Sequence, residues 1–366
     1  MENYGLCLEG KFGKGKNRCR KVHEKSFMGC VKILSGESLR VAVVGLGKMG
    51  LLHASILNVL PNVQVTALCD KSALIRKFCK KVFDEVRVVD DVEKLSGLDL
   101  DVVYVTTPIS GHFFVAKTVY LKGIARNVFV EKTLASSYEK AKELCESVQT
   151  FGGTNMVGYM KRFAVPFRKA KDLLNHEALG EVVSFDAYAY SSDFSGIKKG
   201  SKTSVSRGGV LGDLGSHVID LALWLFGDLE VESAQQESMT EGGSEDSACF
   251  GVKNSSGLEG RFDVSWCMDN YRLPEFGLVI RGLKGVMRVD DYKVGLELND
   301  EKSCRWYRHD LNDNVGFLLG DPEYFREDEY FIKSILEGHN AEPSFLTASK
   351  VDYVIDQVKS RADKDE

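Results

Sequence analysis

The pattern of apolar and polar residues divides the chain into two halves of different character. From residue 39 onward, short apolar runs rich in β-branched residues alternate with segments whose apolar positions recur every three to four residues. Runs of the first kind are typical of buried strands, and segments of the second kind are typical of amphipathic helices. The alternation predicts an α/β Rossmann domain, a doubly wound parallel sheet with helices on both faces, over residues 39–157.

The elements of this first half follow from the same pattern. Strands are predicted at 39–44, 63–69, 86–89, 102–105 and 128–130, and helices at 48–60, 72–81, 112–122 and 137–150. Pro61 ends the first of these helices because proline cannot continue an α-helical hydrogen-bond ladder.

After about residue 155 the strands follow one another with few helices between them. Strands are predicted at 182–190, 231–236, 248–252, 260–264, 277–281 and 286–289, and helices at 165–174, 216–226, 324–336 and 346–360. Such runs of strands indicate an α+β domain with a large, mostly antiparallel open sheet, which we expect over residues 158–340. The last segment, 341–366, is expected to form a helix that packs back toward the Rossmann domain.

Residues 1–38 are rich in Gly, Lys and Arg and show weak hydrophobic periodicity. We expect a flexible extension, with translation beginning at Met28 as the alternative. Cys7, Cys19, His23 and Cys30 could surround a zinc ion, but they include no C-x-x-C pair, and no metal is expected.

Composition narrows the class of protein. The formal net charge is −5 with both signs mixed along the chain, which argues against nucleic acid or an anionic membrane as the main partner. No stretch resembles a membrane span or a signal peptide. The nine cysteines are dispersed and odd in number, which favours free thiols and a cytoplasmic location.

A glycine motif links the first strand to the first helix. It consists of Gly45-Leu46-Gly47-Lys48-Met49-Gly50. The first glycine permits a tight turn, the second allows close approach of a pyrophosphate, and the third allows close packing of helix and strand. The sequence therefore predicts a dinucleotide site at the N-terminus of this helix, where unpaired N–H groups favour anions.

Asp70 lies twenty residues beyond Gly50, at the end of the second predicted strand. A carboxylate there can accept hydrogen bonds from both ribose hydroxyls of NAD and would repel the 2′-phosphate of NADP. Lys71 could tolerate that phosphate, so NADP stays the alternative. A domain that binds S-adenosylmethionine through a similar turn is a further alternative for the motif on its own.

Five later segments accompany the glycine motif. They are Val103-Tyr104-Val105-Thr106-Thr107-Pro108 followed by His112, Val130-Glu131-Lys132, Gly158-Tyr159-Met160-Lys161-Arg162-Phe163, the run 208–220 (GGVLGDLGSHVID), and Arg281-Gly282-Leu283-Lys284-Gly285. Together they resemble the glucose–fructose oxidoreductase, inositol dehydrogenase and rhizopine-catabolism (Gfo/Idh/MocA) oxidoreductases over roughly residues 40–360. The resemblance implies cofactor contacts from Thr107, Pro108, His112 and Glu131, and substrate contacts from Tyr159, Lys161 and Arg162.

The chemistry of alcohol oxidation points to three residues. It requires a base for the hydroxyl proton and a cation for the developing alkoxide. Lys132 follows the carboxyl end of a parallel strand, where open α/β sheets bind ligands, and its ammonium can polarise the substrate oxygen. Asp213 and His217 are four residues apart, so helical geometry would place them on one face.

A carboxylate beside an imidazole fixes its tautomer and raises its basicity, so His217 is the expected general acid–base. Asp213 is then its partner or a second substrate ligand, and the resemblance implies the same roles. The alternative is a structural histidine at a helix start with Asp213 or Ser216 as the N-cap.

Thr133 departs from the family pattern. The family usually has a proline in a cis peptide after the lysine, whereas a cis bond before threonine costs about 3–4 kcal/mol. A trans Lys132–Thr133 bond is therefore expected, unless the surroundings hold it cis, and weakened or lost activity stays open.

The expected function is transfer of a hydride between NAD and a secondary alcohol of a sugar, an inositol-like polyol or a nucleotide sugar. The alternatives are a dinucleotide- or sugar-binding sensor without turnover, and a different reaction on the same fold, such as imine or pigment reduction or chemistry with tightly held NADP. The resemblance implies a homodimer or homotetramer formed through the second sheet.

Overall fold

The computed structural model describes residues 38–83, 85–195, 208–238 and 244–362. The predicted N-terminal extension and the zinc hypothesis on Cys7, Cys19, His23 and Cys30 lie outside these ranges. In the described part of the chain, no helix is both long and apolar enough to cross a membrane.

The first half contains a six-stranded parallel sheet in the order β3-β2-β1-β4-β5-β6. Its strands are β1 (Leu39–Val44), β2 (Val63–Cys69), β3 (Arg87–Val89), β4 (Val102–Val105), β5 (Asn127–Glu131) and β6 (Asn155–Gly158). The helices between them are α1 (Lys48–Leu57), α2 (Ala73–Val82), α3 (Ile109–Leu121) and α4 (Tyr138–Phe151). The predicted doubly wound parallel sheet is confirmed.

Both faces of this sheet are buried, which explains the unbroken apolar runs of its strands. In β1, Val41 and Val43 pack into one hydrophobic cluster, whereas Ala42 and Val44 pack into another on the opposite face. The strand order reverses between β1 and β4, and the carboxyl ends of these neighbours border a crevice of the kind in which such sheets bind ligands.

The second half contains an eight-stranded sheet in the order β14-β13-β12-β11-β7-β10-β9-β8. Its strands are β7 (Val182–Tyr190), β8 (Glu230–Glu237), β9 (Ser247–Lys253), β10 (Glu259–Ser265), β11 (Glu275–Gly282), β12 (Gly285–Asp290), β13 (Lys293–Leu298) and β14 (Ser303–Tyr307). All neighbours are antiparallel except β7 and β10. The predicted large, mostly antiparallel sheet is confirmed.

Strands β13 and β14 lie at one end of this sheet and were not predicted from the sequence. Their short runs carry charged and polar residues, and most of β14 is exposed, so the apolar signal of a buried strand is weak.

The remaining helices are α5 (Val165–Asn175), α6 (Ser216–Phe226), α7 (Pro322–Glu337) and α8 (Phe345–Ala362). Helix α8 packs against α4 and β6 of the Rossmann half and against α6 and β8 of the second half. Helix α7, which we had assigned to the substrate half, also packs against α1. The C-terminal helices thus connect the two sheets.

A π-helical turn at Leu211–Gly215 leads directly into α6. Its hydrogen bonds run from residue i to i+5, so the backbone is wider here than in an α-helix. Asp213 lies within this turn, and His217 lies in the first turn of α6.

Candidate active site

The glycine motif forms a tight loop between β1 and α1. Gly45 has φ of +96°, and a Cβ there would lie 2.6 Å from the backbone nitrogen of Thr107. A Cβ on Gly50 would lie 1.8 Å from the carbonyl oxygen of Gly45. Side chains at these two positions would collide with backbone, so both glycines are required by the local packing.

Local packing does not require a glycine at position 47, because the space around Gly47 is open. Its backbone is extended (φ −68°, ψ −165°), and a Cβ there would meet no described atom within 4 Å. No described side chain caps the first turn of α1, and no acidic residue lies in that turn. The backbone N–H groups of α1 thus face open space beside Gly47, and this cradle fits a pyrophosphate.

Asp70 is fixed beside this loop at the end of β2. One carboxylate oxygen accepts a hydrogen bond from the backbone N–H of Leu46 at 2.7 Å, and the other accepts one from Ser72 at 2.7 Å. Leu46 is buried, whereas Lys48 is exposed. The carboxylate is therefore held at the loop, and each oxygen keeps a second lone pair for a ribose hydroxyl.

A pocket of about 180 Å³ joins the glycine loop to the predicted catalytic residues. It is lined by Met49, Thr106, Thr107, Pro108, Ile109, Glu131, Lys132 and Asp213. Six of these eight residues had been predicted from the sequence as cofactor or catalytic residues. The fold thus brings residues from four separate segments to one place at the ends of β1, β4 and β5.

Lys132 and Asp213 form an ion pair in this pocket. The Lys132 ammonium donates to the Asp213 carboxylate at 2.9 Å and to the Asp213 carbonyl oxygen at 2.8 Å. The two side chains are 17% and 23% exposed, so both are accessible to a substrate. The Lys132–Thr133 peptide bond is cis, so our expectation of a trans bond was wrong and the alternative, a bond held cis, is what the structure contains.

His217 does not have the partner that sequence analysis gave it. Its Nδ1 is buried with no hydrogen-bond partner within the described part of the chain, and Asp213 is turned toward Lys132 instead. Asp213 lies in the π-helical turn and His217 lies in α6, so the two residues do not belong to one regular α-helix. Burial, together with the nearby cations Lys132 and Lys161, lowers the pKa of His217 well below its usual value, so the raised basicity expected from Asp213 is absent.

The predicted substrate residues Lys161 and Arg162 are engaged within the protein. Lys161 is buried against Asp291 at 2.5 Å and Glu323 at 3.5 Å. Arg162 donates two hydrogen bonds, of 2.8 and 2.6 Å, to fully buried Asp220. A substrate role for these two cations stays a prediction, but the structure gives both a stabilising role that sequence analysis did not foresee.

Tyr159 is fully buried, and its ring packs edge-on against His217 at a centroid distance of 6.1 Å. Arg162 borders a different pocket, of about 580 Å³, between α5 and α7. Neither residue lines the pocket that holds Lys132. Asp220, the last residue of the run 208–220, is the partner of Arg162.

We predict that Arg162→Ala lowers the free energy of unfolding by about 3–5 kcal/mol, because it leaves the buried Asp220 carboxylate without its cation. Urea denaturation measures the change, with exposed Arg168→Ala as the matched control. Unchanged stability combined with a raised substrate KM would instead support direct substrate binding by Arg162.

His112 lies in the first turn of α3, three residues after the helix begins. Its buried ring nitrogens lie 2.7 Å from the carbonyl oxygen of Thr107 and 2.7 Å from that of Thr133. The ring therefore ties the β4 turn to the segment after Lys132. A direct contact between His112 and the cofactor stays a prediction.

Glu131 is also held by the protein. Its carboxylate accepts a hydrogen bond from the Lys132 backbone N–H at 3.0 Å and contacts His53 at 2.9 Å. The other ring nitrogen of His53 lies 2.8 Å from Asp328. The identity of its partners was not predictable, because Asp328 is 275 residues away in the chain.

Two family models match this chain in succession. The model described as an oxidoreductase family with an NAD-binding Rossmann fold matches residues 39–159, and the model of the GFO/IDH/MocA C-terminal domain matches residues 167–288. The chain therefore belongs to the GFO/IDH/MocA oxidoreductase family and contains its NAD-binding domain.

Individual relatives are moderately similar. The chain is 23% identical over 320 residues to myo-inositol 2-dehydrogenase of Thermotoga maritima, covering 82% of this chain and 89% of that protein. It is 25% identical over 233 residues to D-glucoside 3-dehydrogenase of Escherichia coli, covering 63% and 64%. The matched region is 64% of the length of the Escherichia coli protein. For another curated relative, an oxidoreductase, it is 56% of the length of that protein.

The fold is also found among solved structures. A levoglucosan dehydrogenase in complex with NADH and levoglucosan superimposes with a TM-score of 0.79 at 19% identity, covering 90% of this chain and 98% of that one. This likeness shows the fold of both halves.

Proposed function

We propose that the protein transfers a hydride between NAD and a secondary alcohol of a sugar or polyol. The observation that carries the proposal is the accessible Lys132–Asp213 ion pair in the same pocket as Met49 of the glycine motif. Gly47 and the first turn of α1 would hold the pyrophosphate, and Asp70 would hold the adenine ribose. Asp70 supports NAD over NADP.

Lys132 stabilises the substrate oxygen. Its ammonium can donate a hydrogen bond to the hydroxyl oxygen and neutralise the alkoxide as the proton leaves. Asp213 holds that ammonium in place through a 2.9 Å hydrogen bond. Bound NAD supplies the hydride acceptor, and the products are a ketone, NADH and one proton.

His217 is the proposed proton acceptor. Because burial and the neighbouring cations lower the pKa of His217, its imidazole is neutral at neutral pH and can accept the hydroxyl proton. In ketone reduction the imidazolium would return that proton, and the lowered pKa means that little of the imidazolium form is present at neutral pH.

The lowered pKa has a measurable consequence. The base form of His217 persists below pH 6.5, the usual imidazole pKa, so kcat/KM for alcohol oxidation should stay level from about pH 8 to 6.5 and fall only at lower pH. A pH profile of the wild type and His217→Gln measures this. An acidic limb centred at or above pH 6.5, or one unchanged in the variant, would contradict the role of His217.

The function itself is tested by NADH formation at 340 nm. The panel contains inositols, free aldoses, glucosides, anhydrosugars and UDP-sugars, each offered with NAD and with NADP. We expect turnover with NAD on one sugar or polyol class. Silence across the panel, with NAD binding still observed by calorimetry, would favour the sensor function instead.

We infer a cytoplasmic location and a homodimer or homotetramer. The six cysteines within the described ranges are free thiols, which supports a reducing compartment. Alternate residues of β7 point away from the buried core, and Tyr188 and Tyr190 stack there at 5.1 Å. Aromatic residues on an accessible sheet face support association of two copies, and light scattering measures the mass.

A further inference from the structure

His53 lies between two buried carboxylates beneath the proposed active site. Its Nδ1 is 2.8 Å from one oxygen of Asp328 and 2.9 Å from the other, and its Nε2 is 2.9 Å from Glu131. The side chains of His53 and Asp328 are fully buried, and that of Glu131 is 8% exposed. Both ring nitrogens thus face acceptors, and an imidazolium satisfies both.

The pKa shifts of His53 and Glu131 agree with a protonated, charged His53 ring. Burial by itself would lower the pKa of His53, but Asp328 and Glu131 outweigh it and raise the pKa well above its usual value. Burial by itself would raise the pKa of Glu131, but His53 and Lys132 outweigh it. The pKa of Glu131 is therefore below its usual value, so its carboxylate is ionised.

The remaining titratable groups around the ring come from β4 and α7. Burial raises the pKa values of Glu327, Tyr104 and Tyr324 well above their usual ranges, which favours their neutral forms. Burial also raises the pKa of Asp328, against the lowering effect of His53. Asp328 and Glu131 are the two carboxyl groups within hydrogen-bonding distance of the ring nitrogens.

Glu131 connects this histidine to Lys132. The carboxylate oxygen of Glu131 that does not face His53 accepts a hydrogen bond from the Lys132 backbone N–H at 3.0 Å. His53 itself lies in the second turn of α1, the helix whose N-terminus faces the proposed pyrophosphate site. A continuous chain of contacts therefore runs from α7 through α1 to the backbone of Lys132.

We propose that His53 is a positioning residue for Lys132: oriented by Asp328, its imidazolium holds Glu131 and thereby fixes the Lys132 backbone in the pocket. The proposal rests on the proposed function of Lys132. It also links the helix that binds the cofactor phosphates to the lysine that polarises the substrate. The alternative is that the three side chains stabilise the fold and have no influence on Lys132.

Asp328→Asn separates these two roles. Removing the carboxylate removes the main cause that raises the pKa of His53, so the ring should lose its second proton as pH rises from about 6 to 9. The charged ring is the active form, so kcat of the variant should fall at least about tenfold over that range while KM for NAD changes less than twofold. The wild type and the exposed-site control Asp172→Asn should show no such loss.

Two measurements do not depend on turnover. Nitrogen-15 spectra of the histidine rings, with the His53 signal identified by its absence in His53→Gln, should show both ring nitrogens protonated in the wild type from pH 6 to 9. After reductive methylation with carbon-13 formaldehyde, the Lys132 methyl signal, identified in Lys132→Arg, should shift in Asp328→Asn, and that of Lys117 should not. If Asp328→Asn does not fold, Glu131→Gln takes its place: the Lys132 signal should shift and kcat should fall, whereas the His53 ring should keep its charge because Asp328 remains.

Some results would overturn the proposal. One is a neutral His53 ring in the wild type. The other is a His53 ring that loses its second proton in Asp328→Asn while kcat and the Lys132 signal stay unchanged. Absence of turnover in the wild type refutes the proposed function instead. In that case, the shift or constancy of the Lys132 signal still decides whether His53 positions this lysine.

Discussion

Lys132→Met should reduce kcat/KM for alcohol oxidation by about a thousandfold. The substitution keeps the length of the aliphatic chain and removes the ammonium that the structure holds 2.9 Å from Asp213 in the pocket. Without that cation, the developing alkoxide would form beside an uncompensated carboxylate. Steady-state kinetics on the alcohol identified from the panel measure the loss, and calorimetry should show nearly unchanged affinity for NAD.

Lys117→Met is the matched control for this experiment. Lys117 lies in α3 and pairs with Glu143 of α4, so its loss should leave kcat/KM within about twofold of the wild type. If Lys132→Met also retained wild-type kcat/KM, or if it lost activity because NAD no longer bound, Lys132 would not be the residue that stabilises the substrate oxygen.

Gly47→Val should abolish measurable NAD binding while leaving the fold intact. The backbone of Gly47 has a conformation that any residue can adopt, and a new side chain would meet no described protein atom within 4 Å of its Cβ. It would instead occupy the space in front of the first turn of α1, where the pyrophosphate must approach the backbone N–H groups. We expect Kd for NAD to rise by at least about a hundredfold, which corresponds to roughly 2.7 kcal/mol.

Two further glycine variants show whether the loss of NAD binding is specific to position 47. The melting temperature of Gly47→Val without NAD should match the wild type, whereas Gly50→Ala should fail to fold because its Cβ would lie 1.8 Å from the carbonyl oxygen of Gly45. Gly316→Ala, where a Cβ makes ordinary contact at 3.6 Å with Phe325, is the neutral control. Wild-type NAD affinity in Gly47→Val would show that the cofactor binds elsewhere.

The fold was largely predictable because its signals are local. The β-branched runs at Leu39–Val44 and Val102–Val105 are buried on both faces, and such strands leave a continuous apolar pattern in the sequence. The strands Lys293–Leu298 and Ser303–Tyr307 were missed because an edge of a sheet is half exposed and tolerates charged residues.

The site, like the fold, has parts that local sequence predicts and parts that it does not. The glycine loop and Asp70 are joined by a strand–turn–helix unit, so their spacing in the sequence already indicates their contact. Lys132 and Asp213 are 81 residues apart, and the family resemblance rather than any local pattern placed them together.

The corrections come from long-range contacts and from backbone geometry. The buried partners of Arg162 and His53 lie 58 and 275 residues away, so the sequence around each residue carries no sign of them. The expected Asp213–His217 pair assumed α-helical spacing, and a π-helical turn at Leu211–Gly215 replaces that spacing with another.

The most direct test of hydride transfer uses an alcohol from the panel that carries deuterium on its carbinol carbon. Mass spectrometry of the NADH formed by the wild-type protein should show one deuterium in the nicotinamide ring per turnover, since the hydrogen passes directly from the substrate carbon to the cofactor. NADH without deuterium, or no NADH from any alcohol of the panel, would contradict the assignment of this protein as a sugar or polyol dehydrogenase.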